Sequence, residues 1–253
     1  MSIKGKTIFI GPQEIAGLVS RNAQALASEG ANIIAFKQKH SRLHPEMATH
    51  KNIEWLLPRT IRYISKLPSA LQTLIQFPIR IWVLVVAICK VDACLMIGGK
   101  SMFTIPVDYY LLRLFGKRVV HLYVGTSSRP RYLSAYAKKA LQSNKNAAKA
   151  FTRKLIKRTR RQRARINSIS KAASYVIENP LSGHFQTRPF INYYKIGTPI
   201  TINTFEPKKP GIKNSKTRIL HCPSRPEIKG TARIIETLNE KALEKLNAEL
   251  IVL

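Results

Sequence analysis

His40 and His44 stand four residues apart, the interval at which a helix points two imidazoles at one metal ion. Pro45 turns His44 away from helical backbone, and no Glu follows His40 as in an H-E-x-x-H pair. The two read as loop histidines, the other four are scattered, and no metal site is expected. Cys89, Cys94 and Cys222 contain no C-x-x-C pair, and an odd number argues against a disulfide framework. Cys89 and Cys94 lie in apolar runs, which suits buried thiols in a reducing compartment.

Charge is the most unusual property. The 253 residues carry 43 Lys and Arg against 13 Asp and Glu, a formal net charge of +30. Between residues 109 and 177 stand 18 cations and no acid. The densest part is KLIKRTRRQRAR, Lys154 to Arg165, and Arg153, Lys154, Lys157, Arg158, Arg160 and Arg161 form its candidate binding surface. Such a surface attracts polyanions. Nucleic acid, an anionic membrane surface and a merely solvated face are the three readings. The chain shows no aromatic RNP strand, which counts against RNA.

These groups need a scaffold, and the chain supplies one. Apolar residues make up 45% of it, which excludes a disordered chain. Lys6 to Ile10 is a short buried strand ended by Gly11-Pro12. Ile15 to Ser28 has helical spacing closed by Gly30, and ANIIAF, Ala31 to Phe36, is the next strand. A strand, turn, helix and strand in this order make a βαβ unit, which implies a parallel sheet. The alternation continues with a helix from Pro78 to Cys89, a strand from Asp92 to Ile97 and a helix from Asp108 to Phe115. Strands follow at Arg118 to Tyr123, at Tyr175 to Ile177 and at Tyr194 to Ile196. One long helix, either continuous or broken near its middle, is expected within Tyr136 to Ala173. The class is a doubly wound α/β domain.

Asn203 to Thr217 is rich in Pro, Lys and Asn and reads as a linker. A fresh βαβ pattern follows: a strand from Arg218 to Cys222, a helix from Gly230 to Leu246 and a strand from Glu249 to Leu253. The expected domains are residues 1–205, a linker at 206–217 and an incomplete second lobe at 218–253. No secretory core follows the basic first residues, since TIFI runs into a Gly-Pro turn. The longest apolar run, Ile81 to Cys89, falls short of the roughly 20 residues of a membrane span. The expected location is the cytoplasm, including peripheral attachment to the inner face of the cell membrane.

Four stretches carry a resemblance. They are GPQEIAG (Gly11 to Gly17), FGKRVVHLYVGTSSRP (Phe115 to Pro130), RPFINYYKIGTPI (Arg188 to Ile200) and ILHCPSRPEIKGT (Ile219 to Thr231). In this order, over nearly the whole chain, the sequence resembles retaining glycosyltransferases of the GT-B fold, family 4-like. The resemblance implies two Rossmann-like lobes, the first for the acceptor and the second for a nucleotide sugar.

It further implies transfer of a sugar to an acceptor hydroxyl in surface glycan or glycolipid synthesis. The donor is the co-substrate and no other cofactor is implied. The acceptor is a glycan or lipid-linked glycan. Gly11 and Gly17 would let backbone N–H groups approach the donor phosphates, or would serve a tight turn and close helix packing. Arg225 and Lys229 resemble the basic pair that grips the donor pyrophosphate. Val124 and Ser127 stand where relatives carry a His and an Asp. His121 falls on the opposite face of its strand from residue 124, so it is a poor substitute. The ribose-binding acids of the second lobe have no counterpart before Leu253. The expectation is therefore a truncated, weakly active or inactive form. The alternative is a non-catalytic basic module for membrane or RNA.

Overall fold

The structure is a computed structural model, and it describes residues 2–38, 47–103, 105–133, 145–199, 216–223 and 226–253. The chain divides into two units, Met1–Ile200 and Thr201–Leu253.

The first unit is built on seven strands: β1 (Thr7–Pro12), β2 (Asn32–Ala35), β3 (Ile53–Trp55), β4 (Ala93–Ile97), β5 (Arg118–Leu122), β6 (Tyr175–Glu178) and β7 (Ile191–Asn192). They form one sheet in the order β3-β2-β1-β4-β5-β6-β7, and every neighbouring pair is parallel. The chain runs outward from β1 to β3 and then returns to the other side of β1. The junction of β1 and β4 is thus the point where strand order reverses, and the unit is a doubly wound α/β domain.

Alternation along the strands divides the core between two faces. Ile10, Ile33, Ala35, Ile97 and Leu122 point to one face and are covered by Leu18, Val19, Ala23 and Ala27 of α1 (Leu18–Ser28). Phe9, Ile34, Cys94, Met96, Val119 and Tyr123 point to the other. That face carries α2 (Pro58–Ile64), α3 (Ser69–Lys90), α4 (Val107–Leu114) and α5 (Lys145–Ala172).

Several local expectations are corrected. Gly11 and Pro12 do not turn the chain but extend β1 by two residues, pairing with Met96 and Ile97; Pro12 is the last residue of the strand, and its carbonyl still accepts from the Gln38 N–H at 2.8 Å. β3 and α2 carry too little periodicity to be seen in the sequence. Pro78 does not start a helix but sits exposed within α3, a helix anchored further along by Val83, Leu84 and Ala87 in the core. Leu71–Lys90 within α3 is long and apolar enough to span a membrane by length and composition, so the run ending at Cys89 understated it. The long helix is unbroken over its described part, Lys145–Ala172. The residues 194–196 are not a strand. They belong to α6 (Tyr193–Ile196), which begins where the Asn192 side chain accepts from the Tyr194 N–H at 2.9 Å.

All three cysteines are free, but only Cys94 is buried, whereas Cys89 and Cys222 are exposed. Cys89 lies on an apolar helix whose outer side is uncovered, so an apolar run did not guarantee burial.

The second unit is a parallel pair, β8 (Thr217–His221) and β9 (Ala248–Val252), joined through α7 (Pro226–Lys229), α8 (Thr231–Thr237) and α9 (Glu240–Lys245). The single helix expected from Gly230 to Leu246 is split. Asn239 caps α9 by accepting from the Ala242 N–H, and this local bond competes with helix continuation. Arg218 and Glu249 pair across the two strands at 2.6 Å. The linker residues up to 215, His40 and His44 lie outside the described residues.

Candidate functional site

All strands of the first sheet present their carboxyl ends along one edge, and in open parallel sheets ligands bind there, at the reversal point. The β1–α1 turn, the Gly98-Gly99 pair after β4 and the 124–128 turn after β5 meet at this edge.

Gly11 is accounted for by packing. A Cβ there would collide with the Phe36 carbonyl oxygen on the neighbouring strand. Gly17 has φ 77° and precedes the first turn of α1, a backbone region that L side chains rarely adopt. The N-terminus of α1, where a phosphate would be favoured, holds a carboxylate of the chain itself. Glu14 Oε1 accepts from the Val19 N–H at 3.2 Å, and Oε2 accepts from the Ser20 hydroxyl at 3.4 Å. Lys37 Nζ lies 2.9 Å from Glu14 Oε2, with the carboxylate side chain 1% exposed. Lys37 also lies over the Trp55 ring, 4.9 Å from its centroid. A helix N-terminus and a cation thus already neutralise one buried anion.

At the reversal point itself Gln13 bridges β1 to β4. Its Oε1 accepts from the Gly99 N–H at 3.0 Å. Gly98 has φ 122°, and a Cβ on it would strike the Gln13 amide, so only glycine fits beneath this clamp. Gly98 also receives β5: His121 Nε2 donates to the Gly98 carbonyl at 3.0 Å. That bond fixes the tautomer, and Nδ1 accepts from the Tyr109 hydroxyl. His121 is wholly buried and burial depresses its pKa to about 3. Both nitrogens are occupied, so His121 organises the core and does not face a substrate.

The next stretch of the edge is tied down by α5. Gln162 Nε2 donates to the carbonyls of Ser127 (3.2 Å) and Arg129 (3.0 Å). A polar residue in the apolar stripe of α5 therefore holds the loop after β5. Glu178, buried at the end of β6, accepts from the Ser128 hydroxyl (2.9 Å), the Asn179 N–H (2.9 Å) and Gln186 Nε2 (3.3 Å). Burial raises its pKa and the three donors partly offset this. The Tyr123 hydroxyl is buried nearby, and burial, then the Glu178 charge, raise its pKa. Arg165 of α5 feels this tyrosine, and burial lowers its own pKa. Among the described residues, the Tyr123 hydroxyl and Arg165 Nε have no hydrogen-bond partner.

The remaining candidates are placed as follows. Lys229 is exposed at the end of α7, directly before Gly230 and α8. Arg225 lies outside the described residues. His221, ending β8, bonds through Nε2 to the Thr231 hydroxyl at 2.9 Å, which ties the strand to the start of α8. Arg153, Lys154, Lys157, Arg158, Arg160 and Arg161 are all exposed on α5. Two surface cavities of about 470 and 500 Å³ lie at the opposite, amino edge of the sheet, the first among Arg113, Arg118, Lys171 and Arg188.

Sequence reasoning missed Gln13, Glu14, Lys37 and Glu178. A signal existed for two of them: Lys37 and Glu178 are charges set directly at the carboxyl ends of apolar strands, where a parallel sheet gathers its polar contacts.

No protein-family model matches this chain, and no curated protein matches it. Among solved structures it is similar to a UDP-glucosyltransferase from Polygonum tinctorium, capable of glucosylating indoxyl and solved with 3,4-dichloroaniline. That match covers 100% of this chain and 71% of the other, at 14% identity and a TM-score of 0.44. It is also similar to the epimerase Mth375 from Methanothermobacter thermautotrophicus, over 48% of this chain, at 13% identity and a TM-score of 0.31. The match spans 52% of the epimerase chain.

Proposed function

We propose that the chain is a glycosyltransferase of the GT-B, family 4-like kind, which binds a nucleotide-activated sugar and transfers it to an acceptor hydroxyl with retention. The observation that carries this reading is the succession of two parallel α/β units, the second with an exposed cation at the junction of α7 and α8 that follows its first strand. Lys229 is exposed immediately before the turn at Gly230 that opens α8, a place suited to a diphosphate. Arg225 is proposed to act with it. No cofactor beyond the donor is proposed.

The first unit supports a positioning role rather than acid–base chemistry. Glu14, Glu178 and His121, near its carboxyl edge, are each satisfied by internal partners. Rate would then come from orientation and from neutralising the departing diphosphate. Val124 and Ser127 replace the His and Asp of the enzymes the sequence resembles, and His121 is locked away from that turn. Low turnover by this chain alone is proposed for that reason, with donor binding retained. A second reading, a non-catalytic basic binding module, is favoured by the exposed cations of α5.

Calorimetry with a panel of nucleoside diphosphate sugars separates the two. Saturable binding is expected, weakened about tenfold or more by Lys229→Ala, the size of one charge-assisted hydrogen bond. Absence of binding for every donor, or binding indifferent to Lys229, overturns the transferase reading.

A further inference from the structure

Helix α3 is apolar on nearly every side. One side sends Val83, Leu84 and Ala87 into the core. The other leaves Leu74 (70%), Phe77 (56%), Ile81, Trp82 and Val85 exposed. Only 22% of the stretch Leu71–Lys90 is buried. A helix that is apolar all round is ordinarily covered by protein or by lipid. The neighbouring α4 extends the surface with Tyr110, Leu114 and, at its end, Phe115, all exposed. α4 in turn touches α5, and all three helices cover the same face of the sheet.

The surroundings of this patch are cationic. Arg59, Arg62 and Lys66 are exposed at one side, on α2 and just beyond it, and the Lys and Arg side chains of α5 at the other. From residue 58 to 117 there are eight cations and two acids, and one of the acids, Asp108, is buried. An apolar centre flanked by cations matches the two components of an anionic lipid surface, acyl chains and headgroups. A second copy of the chain fits less well, since an isologous contact would set cationic flanks against each other.

We propose that the outer surface of α3 and α4 is a membrane-docking face, by which the chain lies on an anionic bilayer. Here α3 rests in the interfacial plane and does not span, because its Val83, Leu84 and Ala87 side is packed on the sheet. The belt of α5 supplies long-range attraction and the apolar side chains supply adhesion. This inference stands independently of the transferase reading.

The full chain carries two tryptophans, Trp55 and Trp82, so Trp55→Phe leaves Trp82 as the sole reporter on α3. With phosphatidylglycerol-containing vesicles, Trp82 fluorescence should be quenched by lipids brominated on the acyl chain. Binding should weaken with salt yet persist, because apolar burial is not screened. Leu74→Asp with Val85→Asp should lower partitioning about a hundredfold while circular dichroism stays unchanged, since both side chains are at least half exposed. Four results would overturn the proposal: an unquenched Trp82, complete release by salt, a dimer in solution that the same double variant dissolves, or binding to RNA without binding to vesicles.

Discussion

Replacing Asp108 by Asn should expose an acid sensitivity that the native chain hides. Asp108 is wholly buried at the start of α4, where its Oδ2 accepts from the Met102 N–H at 2.8 Å. Burial raises its pKa to about 6, against an ordinary 3.8. A group with a raised folded-state value stabilises the fold fully below its unfolded value and loses that contribution as pH rises through about 6. His121 behaves in the opposite sense. With its folded-state value depressed to about 3, its contribution is present above 6.5 and is lost as pH falls toward 3.

From pH 7 to pH 4, Asp108 therefore adds about 2 kcal/mol while His121 removes about 3 kcal/mol. The two nearly cancel in the native chain. Asn cannot titrate, so Asp108→Asn should lose about 2 kcal/mol more than the native chain over that interval. All other titrating groups are common to the two chains and drop out of the difference. Urea unfolding followed by tryptophan fluorescence reports the first unit alone, because Trp55 and Trp82 both belong to it. Equal losses in the two chains between pH 7 and pH 4 would refute the assignment of a raised Asp108.

Two further outcomes follow from burial. Lys37→Met should destabilise the first unit by about 3 kcal/mol or more, since it strands the Glu14 carboxylate, and adding Glu14→Gln should recover most of the loss in a urea double-mutant cycle. Iodoacetamide at pH 8 should label Cys89 and Cys222 in the native chain and spare Cys94 until denaturation, as mass spectrometry would show, because burial pushes the Cys94 thiol up to about 12.

The parallel core was legible in the sequence because a buried strand needs an unbroken run of apolar residues, and ANIIAF, ACLMI and RVVHL supply it. The turns were legible where glycine closes a helix, as at Gly30 and Gly116. The basic side of α5 was visible for the same reason, since charges cannot face a core without partners. Polar contacts at the carboxyl edge were not legible. Gln13 meets Gly99 across 86 positions of sequence, and Gln162 meets Ser127 across 35. Such pairings arise only when strand order brings distant turns together. The exposure of α3 was hidden for a related reason: an apolar helix has the same composition whether protein or solvent surrounds it, and only packing decides which side is left uncovered. The β1–α1 turn shows the division most clearly. Gly17 announces a backbone that bends beside a helix N-terminus, whereas the anion seated there, Glu14 held by Lys37, was decided by the tertiary fold, because the end of β2 delivers that lysine to within 2.9 Å.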